Sequence, residues 1–199
     1  MLAVFWDMGG VILRTRDWRP RRKWERRLGL KPGSLERMVF EGEASQRAMI
    51  GGASVEDIWE SLAVDLGLGR DDREALRKDF FAGDFMDQEL ISFIESLRPG
   101  VKTGLISNAW PNAREFLEAS ISPGAFDQMV ISAEIAMAKP DPGIYRLALD
   151  RSGVPAEAAL FVDDMPRNLR AAAAAGIRPI LFNGTRRTVE AVRKAMAAA

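Results

Sequence analysis

Histidine and cysteine are both absent from this chain of 199 residues, and tyrosine occurs once. Without cysteine there is no disulfide framework, no thiolate zinc site and no sulfur nucleophile. Without histidine there is no imidazole base, no Ser-His-Asp triad and no histidine-ligated zinc. Proton and metal chemistry must therefore come from carboxylates, lysine, hydroxyls and the backbone. Net charge is missing too: 28 Lys and Arg stand against 28 Asp and Glu, which argues against a globally basic nucleic-acid binder and against an acidic disordered chain. No run approaches the roughly 18–20 uncharged apolar residues that a membrane span needs. The opening MLAVFWDMGGVILRT is broken by Asp7 and lacks a basic leader and a small-residue cleavage site. It reads as no signal peptide, and the expected location is cytoplasmic.

What is present is an ordinary globular composition, 47% hydrophobic and 28% charged, with enough apolar content for one core domain and a sizeable insertion. Five short apolar runs read as buried strands: Leu2–Trp6, Lys102–Ser107, Gln128–Ser132, Ala159–Asp163 and Pro179–Phe182. Helical patterns lie between them. Leu90, Ile91, Ile94 and Leu97 share one face, as do Ile144, Leu147 and Ala148, and an alanine-rich segment from Asn168 stops at Gly176. Alternating strands and helices predict an α/β fold, a parallel sheet flanked by helices on both faces.

The stretch from Thr15 to Asp87 breaks the alternation and shows only helical periodicity, punctuated by glycines. It is too long for one crossover helix and reads as a helical insertion over one end of the sheet. Residues near Arg14–Asp17 and Gly83–Asp87 are its natural hinges. Arg14 to Arg27 carries a net +6 with Trp18 and Trp24 interleaved. That pattern suits a solvated helix face with the tryptophans inward, attraction of an anionic substrate, or a nucleic-acid patch; no nucleic-acid motif accompanies it.

Four signals carry chemistry. Asp7 closes the first strand and is followed by Met8-Gly9-Gly10. In an open parallel sheet ligands bind beyond the carboxyl ends of the strands, and small residues there permit close approach. Ser107-Asn108 closes the second strand, where hydroxyl, amide and backbone N–H groups suit phosphate oxygens. Lys139, in AMAKPDPGIY, is fixed near the sheet edge by flanking prolines. Asp163-Asp164 ends ALFVDD; two adjacent acids after a buried strand are costly unless a hard cation such as Mg2+ lies nearby. Each alone also fits a bland role, as a helix cap, a turn residue or a surface lysine.

Together, in this order, they resemble the haloacid dehalogenase-like (HAD) hydrolase superfamily. FWDMGGVIL looks like its first motif, LISNAW its second, KPDPGIY its third and FVDDMPRNLRAAAAAGI its fourth. The resemblance covers nearly the whole chain. It implies a Rossmann-like core (residues 1–14 and 88–199) with a small α-helical cap domain (15–87) inserted after the first strand. It also implies a phosphatase-type reaction on a small phosphorylated substrate. Asp7 would be the nucleophile, forming an aspartyl-phosphate. Mg2+ would be held by Asp7, the Gly9 carbonyl and Asp164, with Asp163 close by. Ser107, Asn108 and Lys139 would bind the phosphoryl oxygens, and Lys139 would keep Asp7 ionised.

The sequence departs from the family's pattern at Gly9, where its phosphatases usually carry a second aspartate that protonates the leaving oxygen. Another acid (Asp17, Glu41 or Glu43) replaces it, or the substrate has a good leaving group, or the protein binds without turnover. A metal-independent 2-haloacid dehalogenase also fits, since a departing halide needs no proton. Trp18, Arg19, Arg22, Met49 and Trp59 are candidate lining residues from the insertion, with Trp59 better suited to its core and the two arginines to solvent.

Overall fold

The computed structural model describes residues 1–198; Ala199, the end of the expected core segment, lies outside the described residues. In chain order the elements are β1 (Leu2–Trp6), β2 (Leu13–Thr15), α1 (Arg19–Arg27), α2 (Ser34–Glu41), α3 (Glu43–Ala48), α4 (Val55–Leu66) and α5 (Arg70–Phe81). They continue with β3 (Asp84–Met86), α6 (Gln88–Ser96), β4 (Val101–Ser107), α7 (Ala113–Ser120), β5 (Gln128–Ile131) and α8 (Ser132–Ile135). Last come α9 (Pro142–Ser152), β6 (Ala159–Asp163), α10 (Pro166–Ala174), β7 (Arg178–Leu181) and α11 (Thr185–Ala197).

Five strands form one parallel sheet in the order β5-β4-β1-β6-β7. The five apolar runs are these strands, each within a residue of its expected ends. The chain steps outward from β1 to β4 and β5, then crosses back to β6 and β7, so the switch point lies around β1. Period-two alternation splits the strands between two cores. Val4, Trp6, Leu160 and Val162 pack on α6, α7 and α11, while Ala3, Phe5, Ala159 and Phe161 pack on α9 and α10. The helices start where local chemistry directs. Asp87 accepts from the Leu90 N–H at the head of α6, and Asp141 caps α9 just ahead of Pro142.

Helices α1 to α5 gather around their own apolar cluster of Trp24, Leu35, Val39, Trp59, Leu62, Leu76 and Phe80. The stretch is not all helical, however. Leu13–Thr15 and Asp84–Met86 pair as a two-stranded antiparallel ribbon, Thr15 opposite Asp84. Three-residue strands are too short to show a period, so their pairing was hidden in the sequence. The two expected hinges are therefore bonded to each other: the Arg16 and Asp17 N–H groups donate to the Gly83 carbonyl, and Thr15 Oγ1 donates to Asp84.

The basic stretch is largely neutralised. Arg21 is buried between Glu36 and Asp84, Arg22 pairs with Glu25, and Arg27 with Asp72. Trp24 packs inward as expected. Trp18 does not: it precedes the first helical turn of α1, off the inward stripe, and stays 39% exposed beneath the Arg21 and Arg22 guanidiniums. Among the described residues no helix is long and apolar enough to cross a membrane.

Candidate functional site

Strand register brings the acids together. β1 and β6 are parallel neighbours with Trp6 opposite Val162. The next residues, Asp7 and Asp163, thus emerge side by side, continuing the alternation of Phe5 and Phe161. Oxygens of Asp7, Asp163 and Asp164 all lie within 4.8 Å of one another. Three buried or half-buried carboxylates so close repel strongly unless cations intervene. One cation is supplied by the chain: Lys139 Nζ stands 2.7 Å from Asp7 Oδ1 and 2.7 Å from Asp163 Oδ2. Sequence placed this lysine near the sheet edge; it is buried at the centre of the cluster.

The three acids have different duties. Asp163 is fully enclosed and its oxygens are occupied. Oδ1 accepts from the Met165 N–H and Asn168 Nδ2, and Oδ2 from Lys139 and Asn168. Asp7 receives the Met8 N–H and Lys139 on Oδ1, while its Oδ2 accepts no bond among the described residues. Asp164 enters no side-chain hydrogen bond or ion pair among them. Its approach depends on Gly10, whose φ is +79° and where a Cβ would lie 2.2 Å from Asp164 Oδ2. Burial pushes the Asp7 carboxyl up to about 7, against the pull of Lys139. Burial, with Asp163 beside it, also raises Asp164. Both shifts mark sites where added positive charge would be favourable. The free oxygens of Asp7 and Asp164, with Asp163 beside them, form a hard-oxygen donor set that fits Mg2+.

Ser107 ends β4 with a buried Oγ that has no hydrogen-bond partner among the described residues, a group able to meet an incoming acceptor. Asn108 is more committed than expected. Its Oδ1 accepts from the Lys139 N–H (2.7 Å) and its Nδ2 donates to the Lys139 carbonyl (2.8 Å), leaving one amide hydrogen free. Gly9 is exposed, and a Cβ built on it meets nothing within 4 Å. Of the acids considered as replacements, Asp17 is held down to about 2 by its bonds from Arg19 and holds no proton at neutral pH. Glu41 and Glu43 are exposed. Arg19 and Arg22 are tied to Asp17 and Glu25, and Trp59 is core of the insertion, as its periodicity indicates.

Sequence reasoning missed the supports of the cluster. Asn168, in PRN, holds Asp163, and the single tyrosine, Tyr145, donates its hydroxyl to the Asn168 carbonyl (2.9 Å). The first is a contact five residues apart within one motif and the second joins segments 23 residues apart; neither residue type signals its role by itself.

A parallel α/β sheet with a carboxylate–lysine–carboxylate array at its strand ends has the layout of a ligand-binding α/β protein, whose site lies in the crevice beyond the carboxyl ends of the strands. The model of the haloacid dehalogenase-like hydrolases matches residues 1–176, and the chain belongs to that family. It is 30% identical, over 96% of its own length and 91% of the relative's, to Phosphatase MT3486 of Mycobacterium tuberculosis (strain CDC 1551 / Oshkosh). Among solved structures, it superposes on a predicted HAD-like family hydrolase from Porphyromonas gingivalis with a TM-score of 0.76 at 21% identity, covering 98% and 97% of the two chains. A HAD-family enzyme of Bacteroides thetaiotaomicron in complex with magnesium and inorganic phosphate gives 0.75 at 17% identity, covering 92% and 94%. An L-2-haloacid dehalogenase gives 0.71 at 20%, covering 97% and 99%. These three likenesses are of fold.

Proposed function

We propose that the protein is a Mg2+-dependent phosphohydrolase acting on a small phosphorylated metabolite through an aspartyl-phosphate on Asp7. The observation that carries this reading is the unequal occupation of the cluster: Asp7 Oδ2 and Asp164 are free, while Lys139 and Asn168 hold the rest in place. The Asp7 carboxylate supplies the nucleophile, opposite a phosphoryl group bound by the Ser107 hydroxyl, the free Asn108 amide hydrogen and Lys139. Lys139 and its two carboxylates leave Asp7 in one orientation, which favours in-line attack. Asp7, Gly9 and Asp164, with Asp163 behind them, would hold Mg2+, whose charge would offset repulsion between carboxylate and phosphate dianion. Water then cleaves the acyl-phosphate bond and returns Asp7. The α1–α5 insertion acts as the cap and carries substrate selectivity.

The whole-length similarity to a phosphatase supports this reading. The absence of a proton donor at Gly9 favours a second one, a metal-independent 2-haloacid dehalogenase; against it stands Asp164, a free acid that halide release does not require. The test is phosphate release from p-nitrophenyl phosphate and acetyl phosphate with and without chelator, beside Asp7→Asn. Chelator-sensitive, Asp7-dependent release is expected. Chelator-resistant halide release from 2-haloacids would replace the reading. Mg2+ and phosphate binding without turnover would make the protein a binding module.

A further inference from the structure

The loop after β4 sends three consecutive residues to three places. Asn108 clasps the backbone of Lys139 from both sides. Ala109 is gripped by Ser132, whose buried Oγ accepts from the Ala109 N–H (3.0 Å) and lies 3.3 Å from its carbonyl. Trp110 turns away from the sheet and packs against the apolar cluster of the insertion. Its ring stacks on Phe40 at 5.6 Å and 29°, and meets Phe81 edge-on at 6.4 Å. Its Nε1–H donates to Ser45 Oγ (3.0 Å), which lies 3.3 Å from the Phe40 carbonyl. A second contact of the insertion lands beside the same loop: a Cβ on Gly51 would sit 2.5 Å from the Ala133 carbonyl, next to Ser132.

We propose that Trp110 is a positioning residue that ties docking of the helical insertion to the placement of Lys139 between Asp7 and Asp163. The route is short and built from directional contacts: Phe40, Phe81 and Ser45 fix Trp110, Asn108 two residues earlier in the same loop fixes the Lys139 backbone, and Lys139 Nζ fixes both carboxylates. An indole that fits a sleeve of two aromatic rings and one hydroxyl has a single seat, so a displaced insertion releases the loop. Only the kinetic arm of the test rests on the phosphohydrolase reading.

The test compares amide hydrogen exchange in the full chain for wild type, Trp110→Ala, Trp110→Phe and Ser45→Ala. Trp110→Ala should speed exchange about ten-fold at 106–112 and also at 137–141, with 178–195 unchanged. Trp110→Phe, which keeps the stacked ring but loses the Nε1–H bond, and Ser45→Ala, which loses the same bond, should each move both segments the same way by only about two- to three-fold. On p-nitrophenyl phosphate with Mg2+, Trp110→Ala should lower kcat about ten-fold while KM changes less than kcat, with partial rescue by Trp110→Phe.

Unchanged exchange at 137–141 in Trp110→Ala, with faster exchange confined to the insertion, overturns the proposal. If that variant does not fold, Ser45→Ala decides: no change at 137–141 also overturns it. Coupled exchange in a wild type that turns over no phosphate compound sinks the phosphohydrolase reading and leaves the coupling standing.

Discussion

Lys139 Nζ lies 2.7 Å from Asp7 Oδ1, and both side chains are buried. The same ammonium serves Asp163, so one lysine balances two carboxylates. Replacing it with methionine, of similar length, leaves two acids facing each other without their cation. Lys139→Met should cost about 3–5 kcal/mol at neutral pH, the range for breaking a buried pair, and lower turnover at least about 10²-fold. Urea unfolding and phosphate release measure the two effects, and unfolding midpoints equal to wild type would contradict the balance described.

Asp7 gives the stability a pH signature. Burial raises its carboxyl from 3.8 to about 7 in the folded state. Between those values the folded chain holds a proton that the unfolded chain releases, so this group's contribution to stability falls as pH rises across that window. In the metal-free protein, wild type should lose stability relative to Asp7→Asn between about pH 4 and 7. Denaturant titrations of both proteins across that range provide the check. Mg2+ affinity should run the other way, weaker at pH 6 than at pH 8, because the proton competes for the same oxygens.

Much of this was legible beforehand. The five core strands stand out because each is an apolar run ended by a polar residue or loop, and Asp7, Ser107 and Asp163 are marked by closing three of them. The insertion's helices declare themselves by periodicity, down to buried Trp59. What stayed hidden is long-range. Nothing near Lys139 in the chain says that Asn108 will hold its backbone, or that three-residue segments around Thr15 and Asp84 will find each other; the approach of the Lys139 amine to Asp7 was implied by the family resemblance alone. Trp18 misled because a helical stripe was extended one residue beyond the helix.

Adjacent glycines should respond in opposite ways. Position 9 is open, so Gly9→Asp should be accommodated and should raise turnover of alkyl phosphates, whose leaving oxygens need a proton, about ten-fold or more. Acyl phosphates should gain little. Gly10→Ala forces a Cβ into Asp164 at a left-handed φ of +79°, and should abolish Mg2+ binding and activity together. Steady-state kinetics over leaving groups of graded acidity and calorimetric Mg2+ titration read these outcomes; a Gly9→Asp protein no better on alkyl phosphates would remove proton donation as the missing function.

Asp87 joins the ribbon to the core. Its Oδ1 caps α6, and its Oδ2 takes both Arg14 and the Thr185 hydroxyl. Asp87→Ala removes the cap and strands a partly exposed arginine, so a loss of about 2–3 kcal/mol is expected. Thermal unfolding tests it, and Asp87→Asn, which preserves an accepting oxygen, should recover part of the loss.

The ribbon also bears on how such a chain can be rebuilt. Thr15 and Asp84 sit opposite each other, so their Cα atoms are about 5 Å apart, and the helices between them leave and return through one narrow gate. Another module with closely spaced termini can be grafted there with no change to the order of the five parallel strands. That gate fixes only the two ends of the excursion: a substitute without the Phe40, Phe81 and Ser45 seat would leave Trp110 unheld, so a graft must bring its own grip on the loop after β4.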